Sequence, residues 1–397
     1  MAQKKGKKRQ NCIGAGILCT QTFRPPAIGW QVVSAKALTP HMNAKNIRIK
    51  DIAQLSGVSV GTVDRVLHNR GRVSEQALKK VLKVLDQIDY KPNVIARTLG
   101  SNKRYTIAAL IPDPSQDPYW ASTKDGLDAA QTEWLRYGVN VVPYFFNLYE
   151  KNSFRHVAEA ITADNTDGIL IAPIFYKETL PYFTRFQSIG IPYVLFNTNI
   201  EQVRALSFIG QDLFQSGKLG GELMHLALRG DNGILAVLHI NEDLGNSVHL
   251  AEKERGFRQY FGAGTNGTAK IVTLNLYNPS QMSLEEQMKD LLQQPDLKGI
   301  FVSTSKGTYQ VAAFLERYGK AAIKLIGYDM LDENIRYMQK GVINFLIHQN
   351  PSRQAFLGIH HLVSHLVLKK QAPDKELLPL EIISPENINS YLNSGMH

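Results

Sequence analysis

Apolar residues recur along the chain with two different rhythms, and the change of rhythm divides it. Between residues 46 and 91 the rhythm is helical, in three short stretches. Ile49, Ile52, Ala53 and Leu55 fall near one face of a first helix. Gly57-Val58 breaks it, because glycine takes the positive φ that a tight turn between helices needs. Ser59 is placed to cap a second helix over 60–68, with Val63, Val66 and Leu67 as its buried side. A third helix opens at Ser74, runs through Ala77, Leu78, Val81, Leu82 and Leu85 to Tyr90, and stops at Pro92. Three short helices with a glycine in the first turn predict a helix-turn-helix.

From Tyr105 onward short β-runs alternate with helical stretches. Strands are predicted at 106–111, 139–145, 168–172, 193–196 and 207–210, then at 233–239, 269–275, 299–303, 324–327 and 344–349. Helical stretches such as 122–137 and 216–228 separate them. Strand–helix repetition predicts an α/β fold with parallel sheets, and two runs of five strands predict two lobes. The expected organisation is a segment 1–45, a helix-turn-helix 46–91, a linker 92–104 and a two-lobed domain 105–397. Lobe 1 takes about 105–210 plus 349–371, and lobe 2 takes 211–348 plus part of the tail. Crossovers between lobes are expected near residues 210, 349 and 372.

Charge sharpens this division. Residues 1–104 hold 20 Lys and Arg against 5 Asp and Glu, whereas residues 105–397 hold 25 against 30. A surface that neutralises phosphates needs such segregation. Residues 1–45 have no acidic residue and no sustained period, so a disordered leader is expected, or a translation start at Met42. The two cysteines, Cys12 and Cys19, both lie in that segment, which leaves the rest without a disulfide framework and fits a reducing cytoplasm. No apolar run approaches the roughly 20 residues that span a bilayer, so no membrane partner is expected.

In a helix-turn-helix the second helix enters the major groove and its early residues reach base edges. Val60, Gly61 and Arg65 are the exposed candidates here. Arg65 can grip a guanine with two hydrogen bonds, while Val60 offers apolar contact, for instance to a thymine methyl. Ser59, Thr62, Asn69 and Ser74 are placed to bind phosphates.

The run IKDIAQLSGVSVGTVDRVLHNRGRVSEQALKKVLKVLDQIDYKPNVIARTLG, residues 49–100, resembles the head and hinge of the lactose-repressor/galactose-repressor family. The resemblance implies a hinge helix within 92–104 that orders over DNA. It implies that Leu99 is an apolar wedge in the minor groove, with Asn93 and Arg97 beside the backbone. Asp64 stands where the family usually has Ser, and a carboxylate there would repel a phosphate.

In open parallel sheets ligands sit beyond the carboxyl ends of the strands. The first strand ends in IPDPSQDPYW, placing Asp113, Asp117, Tyr119 and Trp120 at a cleft mouth. Later ends supply Asn197, Asp329 and Gln349, and Lys253 comes from a helix. Aromatic faces plus fixed donors and acceptors suit a hydroxylated ring. The arrangement resembles ribose-type periplasmic sugar-binding proteins, a type I fold, in which Thr304 takes the place of an Asn. Changes at Asn197, Lys253 and Thr304 make ribose itself an unexpected ligand.

These readings together imply a sequence-specific DNA-binding regulator, a repressor by family habit. Its effector would be a small sugar in the cleft, acting by closing the lobes and shifting the hinge helices. The tail after Gln371 has no apolar heptad, so a homodimer on a two-fold-related operator is expected. No cofactor, metal or catalytic residue is expected, since GxSxG, GxxxxGK[ST] and HExxH are missing. His360, His361 and His365 read as a packed or solvated helix face. Two alternatives share the cleft: a sugar-binding transport protein, which would have no use for residues 46–104, and an enzyme.

Overall fold

The computed structural model describes residues 48–67, 71–88, 103–163, 166–230, 233–262, 269–276 and 283–394. The expected leader, Asn69 and the hinge residues Asn93, Arg97 and Leu99 lie outside the described residues. Residues up to Pro92 and residues from Asn93 form two separate units.

The first unit contains α1 (Ile49–Ser56), α2 (Val60–Leu67) and α3 (Glu75–Gln87). Gly57 closes α1 with φ 62°, and Ser74 caps α3 by accepting from the Ala77 amide at 3.4 Å. Ile52, Ala53, Val63, Val81 and Val84 form the buried core. Leu55, Leu78 and Leu82 do not join it and stand 52%, 38% and 51% exposed. Helices this short present only a narrow inner face, which in α1 runs through Ile52, Ala53 and Ser56. Ser56 is tolerated there because its hydroxyl donates to the Ile52 carbonyl at 2.6 Å.

The second unit is built on two six-stranded sheets. The first holds β1 (Tyr105–Pro112), β2 (Val139–Phe146), β3 (Gly168–Ile171), β4 (Tyr193–Phe196), β5 (Ser207–Gly210) and β11 (Lys375–Leu377), in the order β11-β5-β4-β3-β1-β2. The second holds β6 (Ile234–Ile240), β7 (Lys270–Leu276), β8 (Leu297–Val302), β9 (Lys324–Tyr328), β10 (Phe345–His348) and β12 (Glu381–Ile383), in the order β12-β10-β9-β8-β6-β7. Every pairing is parallel except β10 with β12. The central strands are mostly apolar and buried because helices cover both faces.

Helices α4 (Pro118–Trp134), α5 (Lys151–Ala163), α6 (Tyr176–Ser188) and α12 (Pro351–Leu366) pack on the first sheet. Helices α7 (Leu213–Leu228), α8 (Val248–Gly262), α9 (Leu284–Leu292), α10 (Ser305–Arg317), α11 (Asp332–Gln339) and α13 (Ile388–Ser394) belong with the second. Thus α12, from late in the chain, returns to the lobe that opens the unit. The third crossover falls between β11 and β12, past residue 377, and not near 372, because β11 still adds to the first sheet. Runs of only three residues, KEL and EII, carry no alternation that periodicity could detect. Among the described residues no helix is long and apolar enough to cross a membrane.

Two helix crossings are closed by missing side chains. A Cβ at Gly217 would lie 2.0 Å from the Lys253 carbonyl, and one at Gly256 would lie 2.0 Å from the Phe214 carbonyl. Helices α7 and α8 therefore touch backbone to backbone. Across the other lobe, a Cβ at Gly126 would lie 2.0 Å from the Ser352 carbonyl, so α4 and α12 meet in the same way. Gly217→Ala is expected to cost about 1–3 kcal/mol by forcing α7 from α8. Gly262→Ala, with nothing within 4 Å of the new methyl, should be near neutral. Thermal denaturation followed by circular dichroism compares the two.

Candidate functional site

The carboxyl ends of the strands in both lobes face one cleft, as the topology requires. It is lined by Asp117, Tyr119, Trp120, Asn197, Lys253, Thr304 and Gln349 among others. Three strands end in a left-handed residue that turns the chain there: Asn197 after β4 (φ 66°), Asn241 after β6 (φ 65°) and Asp329 after β9 (φ 62°). Asn and Asp are the side-chain-bearing residues that tolerate this conformation best. Such strain is commonly retained at binding sites.

In the N-terminal lobe, Asp117 caps α4, its Oδ1 accepting from the Tyr119 amide at 2.9 Å. Burial pushes the Asp117 carboxyl up to about 6, opposed by that amide and by Lys306. Pro118 occupies the first helical turn, where its missing N–H costs nothing. Tyr119 and Trp120 are then swung into the cleft, with ring centroids 4.9 Å apart at 79°, and Trp120 meets Phe196 edge-on at 6.2 Å. Asn197 donates from Nδ2 to the Tyr119 hydroxyl at 2.6 Å and fixes the ring.

In the C-terminal lobe, Lys253 is buried and its Nζ donates to the Ser303 carbonyl at 3.0 Å while lying 3.6 Å over the Tyr328 ring. Burial lowers its pKa to about 8, against the pull of Asp329 and Glu242. Thr304 places an Oγ1 in the cleft wall that is buried without a hydrogen-bond partner. Gln349 donates to Asp329 twice, from its backbone amide at 2.7 Å and from Nε2 at 2.6 Å. Asp329 itself is 1% exposed and does not line the cleft, so it acts behind the wall by holding Gln349 and Ser305. Asp113, expected at the mouth, instead accepts from the Ser115 amide and hydroxyl at 2.9 and 2.8 Å and is not part of the lining.

Residues that the sequence reading passed over complete the wall: Glu242, His249, Ser303, Ser305, Leu148 and Ile174. His249 Nε2 lies 2.8 Å from Glu242 Oε2, a pairing that becomes ionic when the imidazole is protonated. Burial raises the Glu242 carboxyl, but His249 and then Lys253 outweigh it and hold the pKa below the usual range. Two signals could have found the pair. Glu242 stands just past the end of β6, and His249 is one helical turn before Lys253 on α8.

The mouth is bridged between lobes. Lys151 Nζ lies 3.0 Å from Asp243 Oδ2, and Asn246 accepts from the Lys177 amide at 2.9 Å while donating to Glu178 at 2.7 Å. Lys306 reaches across to the Gln116 carbonyl at 2.8 Å and the Tyr149 hydroxyl at 3.1 Å. The histidines of α12 have structural contacts. His361 is buried between Ser207 at 2.8 Å and Glu376 at 2.7 Å, and His360 lies against Trp134.

In the first unit Val60, Gly61 and Arg65 are exposed on α2, and Ser59 and Ser74 are exposed just before α2 and α3. Thr62 is partly buried, its amide donating to Ser59 Oγ at 3.2 Å and its hydroxyl 2.9 Å from the same oxygen. An apolar side chain such as Val60, left 45% exposed at the start of a helix, has nothing among the described residues of its unit to cover it.

Asp117 makes the cleft pH-sensitive. Its folded pKa of about 6 lies above the ordinary value of 3.8, so the folded state holds the proton longer. Stability is therefore fullest below the lower value and is lost as pH rises through the higher one. Asp117→Asn, which keeps the cap, is expected to raise Tm near pH 7.5, with the gain fading toward pH 4. A series of melts across that range measures it.

Two family descriptions match the chain: "Bacterial regulatory proteins, lacI family" over residues 48–93 and "Periplasmic binding protein domain" over residues 107–371. The chain is 31% identical to the ribose operon repressor of Halalkalibacterium halodurans over 291 residues, covering 71% of this chain and 80% of that protein. It is 24% identical to the sucrose operon repressor of Streptococcus mutans over 351 residues, covering 86% and 99%. A crystal structure from Bacteroides fragilis, described as a LacI transcriptional regulator, superposes with a TM-score of 0.69 at 28% identity, covering 73% of this chain and all of that one. A Burkholderia graminis solute-binding protein in complex with D-arabinose shares the fold, with a TM-score of 0.64 at 20% identity over 73% of this chain and 99% of that one. The chain belongs to the LacI family of bacterial regulatory proteins, with a periplasmic-binding-protein domain as its second unit.

Proposed function

We propose that this regulator binds a two-fold-related operator as a homodimer and represses transcription, with operator affinity set by a small sugar-like effector in the cleft. The observation that carries the effector reading is the convergence of Asp117, Tyr119, Trp120, Asn197, Lys253, Thr304 and Gln349 on one cleft. Aromatic rings beside fixed donors and acceptors are what a polyhydroxylated ring requires. In this reading Asp329 positions Gln349 and is not a direct contact. Binding favours the closed lobes, and closure changes the spacing of the hinge segments on which Leu99, Asn93 and Arg97 lie.

On the DNA side, Arg65 reads a base edge, Val60 and Gly61 allow close apolar approach, and Ser59, Thr62, Asn69 and Ser74 hold phosphates. An operator is obtained by selecting bound duplexes from a random pool, and a gel shift then tests each role. Arg65→Ala should weaken operator binding by about 1–3 kcal/mol, roughly tenfold or more, and relax preference at one base pair, while non-specific binding falls far less. Equal loss on both kinds of DNA removes Arg65 from base reading. Leu99→Ala should likewise cost specific binding far more than non-specific binding.

The effector is found by thermal shift of the full chain against sugars and polyols, since a ligand of the folded state raises Tm by mass action. A hit that also changes operator affinity in the gel shift supports the whole reading. A hit without that change, or steady turnover of the sugar, favours the transport-type or enzymatic alternative.

A further inference from the structure

Closing the lobes collects negative charge. Asp117 comes from the start of α4 in the N-terminal lobe, whereas Glu242 and Asp329 come from strand ends of the C-terminal lobe. Asp117 and Glu242 both line the cleft, and Glu242 and Asp329 each raise the cost of ionising Asp117, against Lys306, which lowers it. Asp329 is fully engaged by Ser305 and Gln349. The other two have acceptor capacity left. Among the described residues only Oδ1 of Asp117 takes a hydrogen bond, from the Tyr119 amide, and Glu242 has His249 beside Oε2 alone.

The cations nearby lower both carboxyls, Lys306 acting on Asp117 and Lys253 on Glu242, but each is held by partners of its own. Lys253 is turned into its own lobe, with Nζ on the Ser303 carbonyl and the Tyr328 ring face. Lys306 is held at the rim by Gln116 and Tyr149. Of the imidazoles, His249 pairs with Glu242, and His348 lies 3.3 Å from Asp329. Like charges on opposite lobes oppose closure, and the opposition grows as water is expelled. A ligand that brings a positive group between them reverses its sign and binds the closed form selectively.

We propose that the effector is a sugar whose ring carries a free amino group, seated as an ammonium between Asp117 and Glu242. The proposal rests on the sugar-effector reading above and narrows it. Sugar phosphates and uronates would add a third anion to the same space, and an N-acetyl group would deliver no charge. Neutral sugars can donate hydroxyl hydrogens to both carboxylates but leave the repulsion in place.

Calorimetric titration of the full chain tests this with D-glucosamine, D-galactosamine and D-mannosamine. Each is compared with its parent hexose, its N-acetyl derivative and its 6-phosphate, near pH 7.0 and pH 5.0. The expected result is one amino sugar binding at least about tenfold tighter than its parent near pH 7.0. That ratio should shrink near pH 5.0, where Asp117 takes up a proton while Lys253 and Lys306 stay charged. Glu242→Gln and Asp117→Asn should each bring the ratio toward one, with melts showing that both variants fold. A parent hexose, N-acetyl sugar or phosphate binding as tightly as every amino sugar overturns the proposal and leaves the sugar-effector reading standing. An amine preference unchanged in both variants also overturns it. Failure of every sugar in every form overturns the sugar-effector reading itself.

Discussion

The carboxylate of Asp329 is 1% exposed at the end of β9, in a left-handed conformation. Stripping water from such a group costs several kcal/mol unless donors replace it. Here they do: burial pushes its pKa up, but His348, the Ser305 hydroxyl and the Gln349 amide hold it below the usual range. The donors come from different elements. Ser305 opens α10, and Gln349 begins the crossover after β10. Keeping Asp329 ionised therefore fixes the wall of the C-terminal lobe and the second interlobe strap together. The chain of bonds then continues. The Gln349 carbonyl accepts from Gln354 Nε2 at 2.8 Å, Gln354 Oε1 accepts from the Asn197 amide at 3.0 Å, and Asn197 Nδ2 donates to Tyr119 at 2.6 Å. One buried charge is thereby linked to the aromatic wall of the opposite lobe.

A bonded path of this kind matters only if the lobes move as bodies. The glycine crossings supply that condition. Gly217 and Gly256 let α7 and α8 meet at backbone distance, and Gly126 does the same for α4 against α12. Close-packed interiors transmit displacement and resist it. Motion is then left to the crossovers, where Gln211 Nε2 donates to the His348 carbonyl at 2.8 Å and the Pro379 carbonyl at 2.7 Å. One side chain thus clasps all three straps between the lobes, which is where a hinge must bend.

How much of this was legible depended on whether a signal was periodic. Strands such as β4 and β5 were placed to the residue, because short runs bounded by turn residues are too short for helices in an alternating α/β chain. The tail strands β11 and β12 escaped because three residues cannot show a period. Leu55, Leu78 and Leu82 look like core by composition, yet a three-helix unit has too little interior to hold them. In the site, strand ends pointed to Asn197 and Gln349, and the same rule applied to β6 would have given Glu242. His249 needed the helix phase set by Lys253. Asp329 was found at its strand end, but its place just behind the lining was not legible, since sequence cannot distinguish a residue in a wall from one behind it.

Charge separates the two units more sharply than their folds do. The first 104 residues carry 20 Lys and Arg against 5 acidic residues, while the remainder carries 25 against 30. A polyanion is attracted to the first part and mildly repelled by the second. Among the described residues the core of the first unit has five buried apolar residues, whereas the cleft belongs to a unit with an extensive core of its own. An effector 's influence on DNA consequently has one covalent route, the segment 92–104. Its differential affinity for open and closed lobes sets the most that this route can transmit.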